Sequence, residues 1–354
     1  MRPDVVIRGG TVVDGTGAEP RTADVAVRDG RVVEVGRVDG RGAREVDADG
    51  AHVLPGWVDV HVHYDGQATW DNHLAPSTWH GVTTVVVGNC GVGFAPVRPS
   101  DHQQLIELME GVEDIPGAAL HEGLPWTWQT FAEYLDAVDS IPHDADIACQ
   151  VPHGALRLHV MGDRGARREP ATADDIAEMG RICREAVEAG ALGFTTSRTR
   201  NHRTSTGDYT PTLTAEADEL VGIAVEMGRS GRGVLQLVSD FVDVDEEFSM
   251  LRRMVVESGR QRSFSLAGSP LAPDRWRDMR ARLDDARADG LPITAQVAAR
   301  AIGLLFGLPC TLHPFVTNPV FRSEIGQLRS WEQAEAMREP SFRERVLATE
   351  VERD

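Results

Sequence analysis

Lysine is missing altogether: all 36 basic residues are arginine. Genomic base composition is the plain cause, yet the loss has chemical consequences. No Schiff-base amine, no P-loop lysine and no carbamylated lysine bridging two metal ions can form on this chain. Cysteine is scarce. Cys90, Cys149, Cys183 and Cys310 lie far apart and make no CxxC pair, which argues against a disulfide framework and fits a reducing compartment. No uninterrupted apolar run reaches the length of a bilayer span. Met1-Arg2-Pro3-Asp4 does not open a signal region, so a cytoplasmic location is the expectation. Positive charge is also in deficit, since 55 acidic residues against 36 basic ones give a net charge of -19. That balance speaks against nucleic acid and against anionic membrane surfaces as partners.

The 354 residues suffice for one large domain and a small one, and 41% hydrophobic with 26% charged residues is an ordinary globular balance. Residues 1–55 read as short β-branched, alternating strands (Val5 to Arg8, Thr11 to Val13, Val25 to Arg28, Arg31 to Val35), with Asp29-Gly30 as a hairpin turn. They predict part of a small β-sandwich. From residue 56 to 354 the pattern becomes strand, loop, helix. Strands are expected at Trp57–His63, Val82–Gly88, Ala145–Val151, Ala191–Ser197, Gly233–Ser239, Ser263–Ala267 and Leu291–Val297. Helices fall between most of them, the clearest over Thr172 to Glu188, with a Thr172/Asp175 capping box and Gly190 as its stop. The order predicts an α/β fold, a (β/α)8 TIM-type barrel whose eighth strand does not show. A long connection at about residues 94–144 interrupts it, of the kind that forms lids or oligomer contacts. Homo-oligomerisation stays open.

The sharpest chemical signal is Pro55-Gly56-Trp57-Val58-Asp59-Val60-His61-Val62-His63. On a strand with period two, Asp59, His61 and His63 share one face and the valines take the other, towards a helix layer. Two imidazoles at the C-terminal end of a first barrel strand can grip one metal ion, where barrel active sites are built. The competing reading is a pair of solvated histidines on a sheet edge; the apolar strand behind a Pro-Gly turn favours the metal. Gly88-Asn89-Cys90-Gly91 closes the second strand and brings Cys90 to the same rim. There it is either a metal thiolate or a buried structural thiol.

At these residues the chain resembles the N-acyl-D-amino-acid deacylases (D-aminoacylases) of the amidohydrolase superfamily. The similarity is carried by His63-Tyr64-Asp65-Gly66-Gln67-Ala68-Thr69-Trp70-Asp71, Trp79-His80-Gly81-Val82-Thr83-Thr84, Gly88-Asn89-Cys90-Gly91-Val92-Gly93 and Met109-Glu110-Gly111-Val112-Glu113-Asp114-Ile115-Pro116. It continues through His153-Gly154 and from Gly190 to Arg198. The resemblance implies a zinc-dependent hydrolase that splits N-acyl-D-amino acids into a carboxylate and a D-amino acid, with His61, His63 and Cys90 on Zn2+. Members usually carry histidines at the ends of the fifth and sixth strands. Here those places read Gln236-Leu237-Val238-Ser239-Asp240 and Ser265-Leu266-Ala267-Gly268-Ser269. Asp240 offers an oxygen ligand for the first of them, or is a surface acid. The aspartate of a DGGxH-like segment on the eighth strand is not found, so the catalytic acid–base group stays unassigned. The expectation is an incomplete chain with little or no activity.

His153, Arg198 and Tyr64 are substrate-binding candidates. Arg198 would take a substrate carboxylate in a bidentate fork, or be a solvated rim arginine. His202 and His313 lie in loops that reach substrate, and His80 reads as structural. Two other functions remain. A hydantoinase-like cyclic-amide hydrolase would share the two histidines but typically needs a lysine. A non-catalytic barrel fragment would bind no metal.

Overall fold

The computed structural model describes residues 2–268, 272–301, 303, 307–310 and 313–349. Ser269 of the sixth-strand segment, residues 304–306 and residues 350–354 of the C-terminal charged run lie outside them. The described chain divides into two compact units, Met1–Asp59 with Pro76–Thr84, and Val60–Ala75 with Val85–Asp354.

The smaller unit is built on β1 (Val5–Val12), β2 (Arg21–Arg28), β3 (Arg31–Gly36), β4 (Arg44–Asp47) and β5 (His52–Val53). The sheet order is β3-β2-β1-β4, with β5 also on β1. β1/β2 and β2/β3 are antiparallel, whereas β4 and β5 run parallel to β1. Asp29 and Gly30 both take positive φ, 50° and 70°, as a two-residue hairpin between right-twisted strands requires. The alternating strands bury Val6, Ala26 and Val38 in one cluster and Val12, Ala23 and Val25 in another.

The second sheet holds β6 (Trp57–Asp59), β7 (Val82–Val87), β8 (Asp146–Pro152), β9 (Gly193–Arg198), β10 (Val234–Ser239), β11 (Arg262–Ser265) and β12 (Ile293–Gln296). Its strands follow in chain order from β6 to β12, and β8 through β12 pair parallel. Parallel neighbours in chain order need a crossover between each pair, and such crossovers are as a rule right-handed. This half-barrel fits the expected TIM-type barrel, and among the described residues no eighth strand follows β12. Helices Ala173–Ala189, Ala217–Gly228, Val244–Ser258 and Arg275–Ala288 form the connections. Phe241, Phe248 and Phe264 seal one of them onto the sheet with ring centroids 5.2 to 5.8 Å apart. Among the described residues no helix is long and apolar enough to cross a membrane.

Helix Ala173–Ala189 shows how local sequence sets an element. Thr172 Oγ1 accepts from the Asp175 amide at 3.2 Å, Asp175 Oδ2 accepts from the Thr172 amide at 2.8 Å, and Gly190 closes the last turn. Thr172→Ala removes one arm of this box and is expected to cost about 1 kcal/mol, read as a lower urea midpoint at unchanged slope.

Two expectations about the first barrel strand need correction. β6 ends at Asp59, so His61 and His63 follow the strand rather than sit on it. Val58 and Val60 do not enter a helix layer: they are 56% and 44% exposed, and Val62 alone of the three valines is buried. The reason is position, because β6 is the terminal strand of the sheet order and has one strand neighbour there.

Candidate metal centre

The backbone at Gly88–Gly91 makes a turn that few sequences could adopt. Gly88 has φ +87°, and a Cβ there would fall 2.2 Å from the Gln150 carbonyl oxygen. Gly91 has φ +66°, and its Cβ would lie 3.0 Å from Thr196 Cα. Cys90 itself takes φ 56° between them. The Asn89 side-chain Nδ2 donates to Val86 O at 2.7 Å and to Val60 O at 3.2 Å, and Val62 N donates to Val86 O at 3.2 Å. These bonds draw the segment after Asp59 against the end of β7.

Two sequence candidates then meet the third. His61 Nε2 lies 3.2 Å from Cys90 Sγ, and the His61 and His63 rings stand 5.3 Å apart at 63°. One donor atom from each of His61, His63 and Cys90 falls within 4.8 Å of the others, the one such group among the described residues. Cys90 is buried and the two histidines are half-buried.

Two carboxyl groups that sequence reasoning did not single out stand beside this group. Glu113 Oε1 lies 3.2 Å from His63 Nε2. It closes helix His102–Glu113, which is anchored where Ser205 N donates to Glu107 O at 2.9 Å. Burial, then the charges of Asp65 and Asp114, push its carboxyl up to about 8. Asp65 is buried, its Oδ2 meets no hydrogen-bond donor, and desolvation raises it to about 7. Burial lowers His63 well below the usual histidine range, helped by the charges of His61 and His202. Burial likewise raises the Cys90 thiol, with Glu113 and Asp65 adding to it. His63 Nδ1 is buried without a partner. Two imidazoles, a thiol, the buried Asp65 carboxyl and the half-buried Glu113 carboxyl thus converge with no arginine among them. This donor chemistry fits a borderline-soft divalent cation, which would reverse the thiol's shift.

The other candidates are placed differently. Asp240 stands outside the ligand group, its carboxylate accepting from Thr199 Oγ1 and from the Arg200 amide. Arg198 is not a free fork: Nε donates to Glu247 at 3.0 Å and Nη1 to the Ala215 carbonyl. His153 is buried rather than at a mouth, with Nδ1 2.8 Å from Thr196 Oγ1 and Nε2 2.9 Å from Glu219 Oε1. Tyr64 follows His63 and is half-buried. His202 Nδ1 lies 2.8 Å from Ser197 Oγ, and burial takes its pKa down to about 4. His313 packs edge-on to Phe321 in the C-terminal helical cluster, and His80 is exposed in the smaller unit. Glu113 lay within the Met109–Pro116 match, the one signal that could have exposed it.

Comparison with known proteins places the chain in a family. Residues 44–351 match the Amidohydro_3 model of the amidohydrolase family. An uncharacterised Mycobacterium tuberculosis protein is 39% identical over 197 residues, covering 54% of this chain and 32% of its own length. The D-aminoacylase of Alcaligenes xylosoxydans xylosoxydans is 31% identical over 229 residues, 64% of this chain and 43% of the relative. The crystal structure of N-acyl-D-glutamate deacylase from Bordetella bronchiseptica, complexed with zinc and a phosphonate inhibitor, superposes with TM-score 0.66 at 28% identity, over 84% of this chain and 58% of that one. The chain therefore spans about a third to three fifths of the length of these proteins. On the match of its residues 44–351, the chain belongs to the amidohydrolase family.

Proposed function

We propose that this chain carries the metal-binding part of a zinc-dependent hydrolase that cleaves the amide bond of N-acyl-D-amino acids. The convergence of His61, His63 and Cys90 within 4.8 Å is the observation that carries the reading, and the D-aminoacylase and deacylase relatives supply the substrate class. His61, His63 and Cys90 would hold the ion. A zinc ion there supplies a Lewis acid for the amide carbonyl. Glu113 Oε1, 3.2 Å from His63 Nε2, would orient that imidazole. Asn89 orients the ligand turn through its bonds to Val60 and Val86.

The test is metal content with turnover. The purified chain is expected to retain close to one zinc per chain after dialysis, and Cys90→Ala or His61→Ala to retain almost none. Amine release is expected to be small or absent, and any that occurs to favour N-acetyl-D-amino acids over the L-enantiomers. A folded parent chain free of metal under these conditions overturns the proposal.

A further inference from the structure

Behind the ligand turn lies a buried polar chain with no assigned role. Arg157 Nη1 donates to both oxygens of Glu219, at 2.9 and 2.8 Å, and Nη2 donates to the Glu169 carbonyl at 2.6 Å. Glu219 Oε1 accepts from His153 Nε2 at 2.9 Å, and His153 Nδ1 meets Thr196 Oγ1 at 2.8 Å. Arg157, His153, Thr196 and Glu219 are each at most 2% exposed. With Nε2 donating to a carboxylate, a neutral ring has Nδ1 free to accept from the Thr196 hydroxyl. The donors therefore converge on Glu219, the guanidinium of Arg157 from one side and, through the His153 ring, the Thr196 hydroxyl of β9 from the other.

Both ends of the His153–Thr196 bond are in close approach to the residue after Cys90. A Cβ on Gly91 would lie 3.0 Å from Thr196 Cα and 3.1 Å from Ser197 N, and a Cβ on Gly154, next to His153, 2.8 Å from the Gly91 carbonyl oxygen. Gly91 is thus held between the backbones that this bond ties together. We infer that His153 and Thr196 are positioning residues: the Arg157–Glu219–His153–Thr196 chain fixes the gap into which the Cys90 turn fits, and so sets where the sulfur meets His61. The inference rests on the metal reading for its purpose but not for its geometry.

The hydroxyl can be removed without changing shape. Thr196→Val keeps the volume and breaks the bond, Thr196→Ser keeps the bond, and Thr172→Ala, on a helix cap elsewhere, serves as the destabilised control. Two measurements separate the questions. In the metal-free protein, amide hydrogen exchange at Cys90 to Val92 is expected to quicken about tenfold or more in Thr196→Val and to stay near parent in Thr196→Ser and the control. With Co(II) as the probe, chelator competition should show affinity about 10 to 100-fold weaker in Thr196→Val, with a shifted thiolate-to-cobalt absorption band that Thr196→Ser restores. Unchanged exchange at Cys90 to Val92 and unchanged Co(II) affinity in Thr196→Val, beside a lowered melting temperature like that of the control, overturn the inference. A parent chain that binds no Co(II) sinks the metal reading instead, and the exchange measurement still decides the positioning role.

Discussion

Glu219→Gln is expected to lower the stability of the chain by about 3–5 kcal/mol. The change is nearly isosteric, so no cavity enters. It leaves Arg157, 1% exposed, without its carboxylate partner, with one amide oxygen where two carboxylate oxygens accepted from Arg157 and His153. A buried charge whose partner is deleted keeps its desolvation cost and loses its compensation. Equilibrium urea unfolding at neutral pH measures the loss. The pH dependence gives a second check. Burial draws the Glu219 carboxyl up, but the hydrogen bond and charge of His153, with those of Arg157, leave it below its ordinary value of 4.5. A lowered folded pKa means that the stability is present above the unfolded value and lost as pH falls through the folded one. The gap between parent and variant should therefore be full at pH 7 and shrink in acid below about 4.5. A constant gap across that range would show that lost packing, not the ion pair, causes the effect.

Gly88→Ala is the second large effect. Its φ of +87° lies in the region where an L side chain costs about 1–2 kcal/mol. The added Cβ would also stand 2.2 Å from a backbone carbonyl of β8, which cannot swing aside as a side-chain tip can. Together these should exceed about 3 kcal/mol or force the turn open. Either way Cys90 leaves its place beside His61, so metal stoichiometry should fall with the urea midpoint. Retained zinc at parental stability would mean that the turn does not need this backbone. Neither substitution touches a ligand atom, so a loss of metal in both would trace to the scaffold.

Much of this molecule could be read before its fold was seen, and the reasons are local. β7 and β10 announce themselves by β-branched apolar runs, and all seven strands of the second sheet fall within a few residues of their expected places. Thr172, Asp175 and Gly190 carry the start and stop of their helix within single turns. The pairing of His61 and His63 with Cys90 follows from where two adjacent strands end, which order along the chain already implies. What stayed hidden depends on long-range packing. Glu113 reaches His63 from a connection whose path no periodicity describes. Arg198 looked like a substrate fork because Glu247, 49 residues on, is its partner only once helix Val244–Ser258 has docked. His153 looked rim-facing because its strand ends there. The helix that begins with it turns the ring inward, to Glu219 on helix Ala217–Gly228. β6 stopped short of His61 because its edge position lets the chain bend away after Asp59.

The acid beside His63 is borne by helix His102–Glu113, within the long connection between β7 and β8, and not by any strand. Strand-borne groups are locked to the pitch of the sheet, so altering one disturbs its neighbours. A group on an excursion is modular: the loop can be lengthened, exchanged or retuned while the sheet beneath stays as it is. Grafting that connection between related hydrolases would exchange the acid beside His63 while leaving His61, His63 and Cys90 in place.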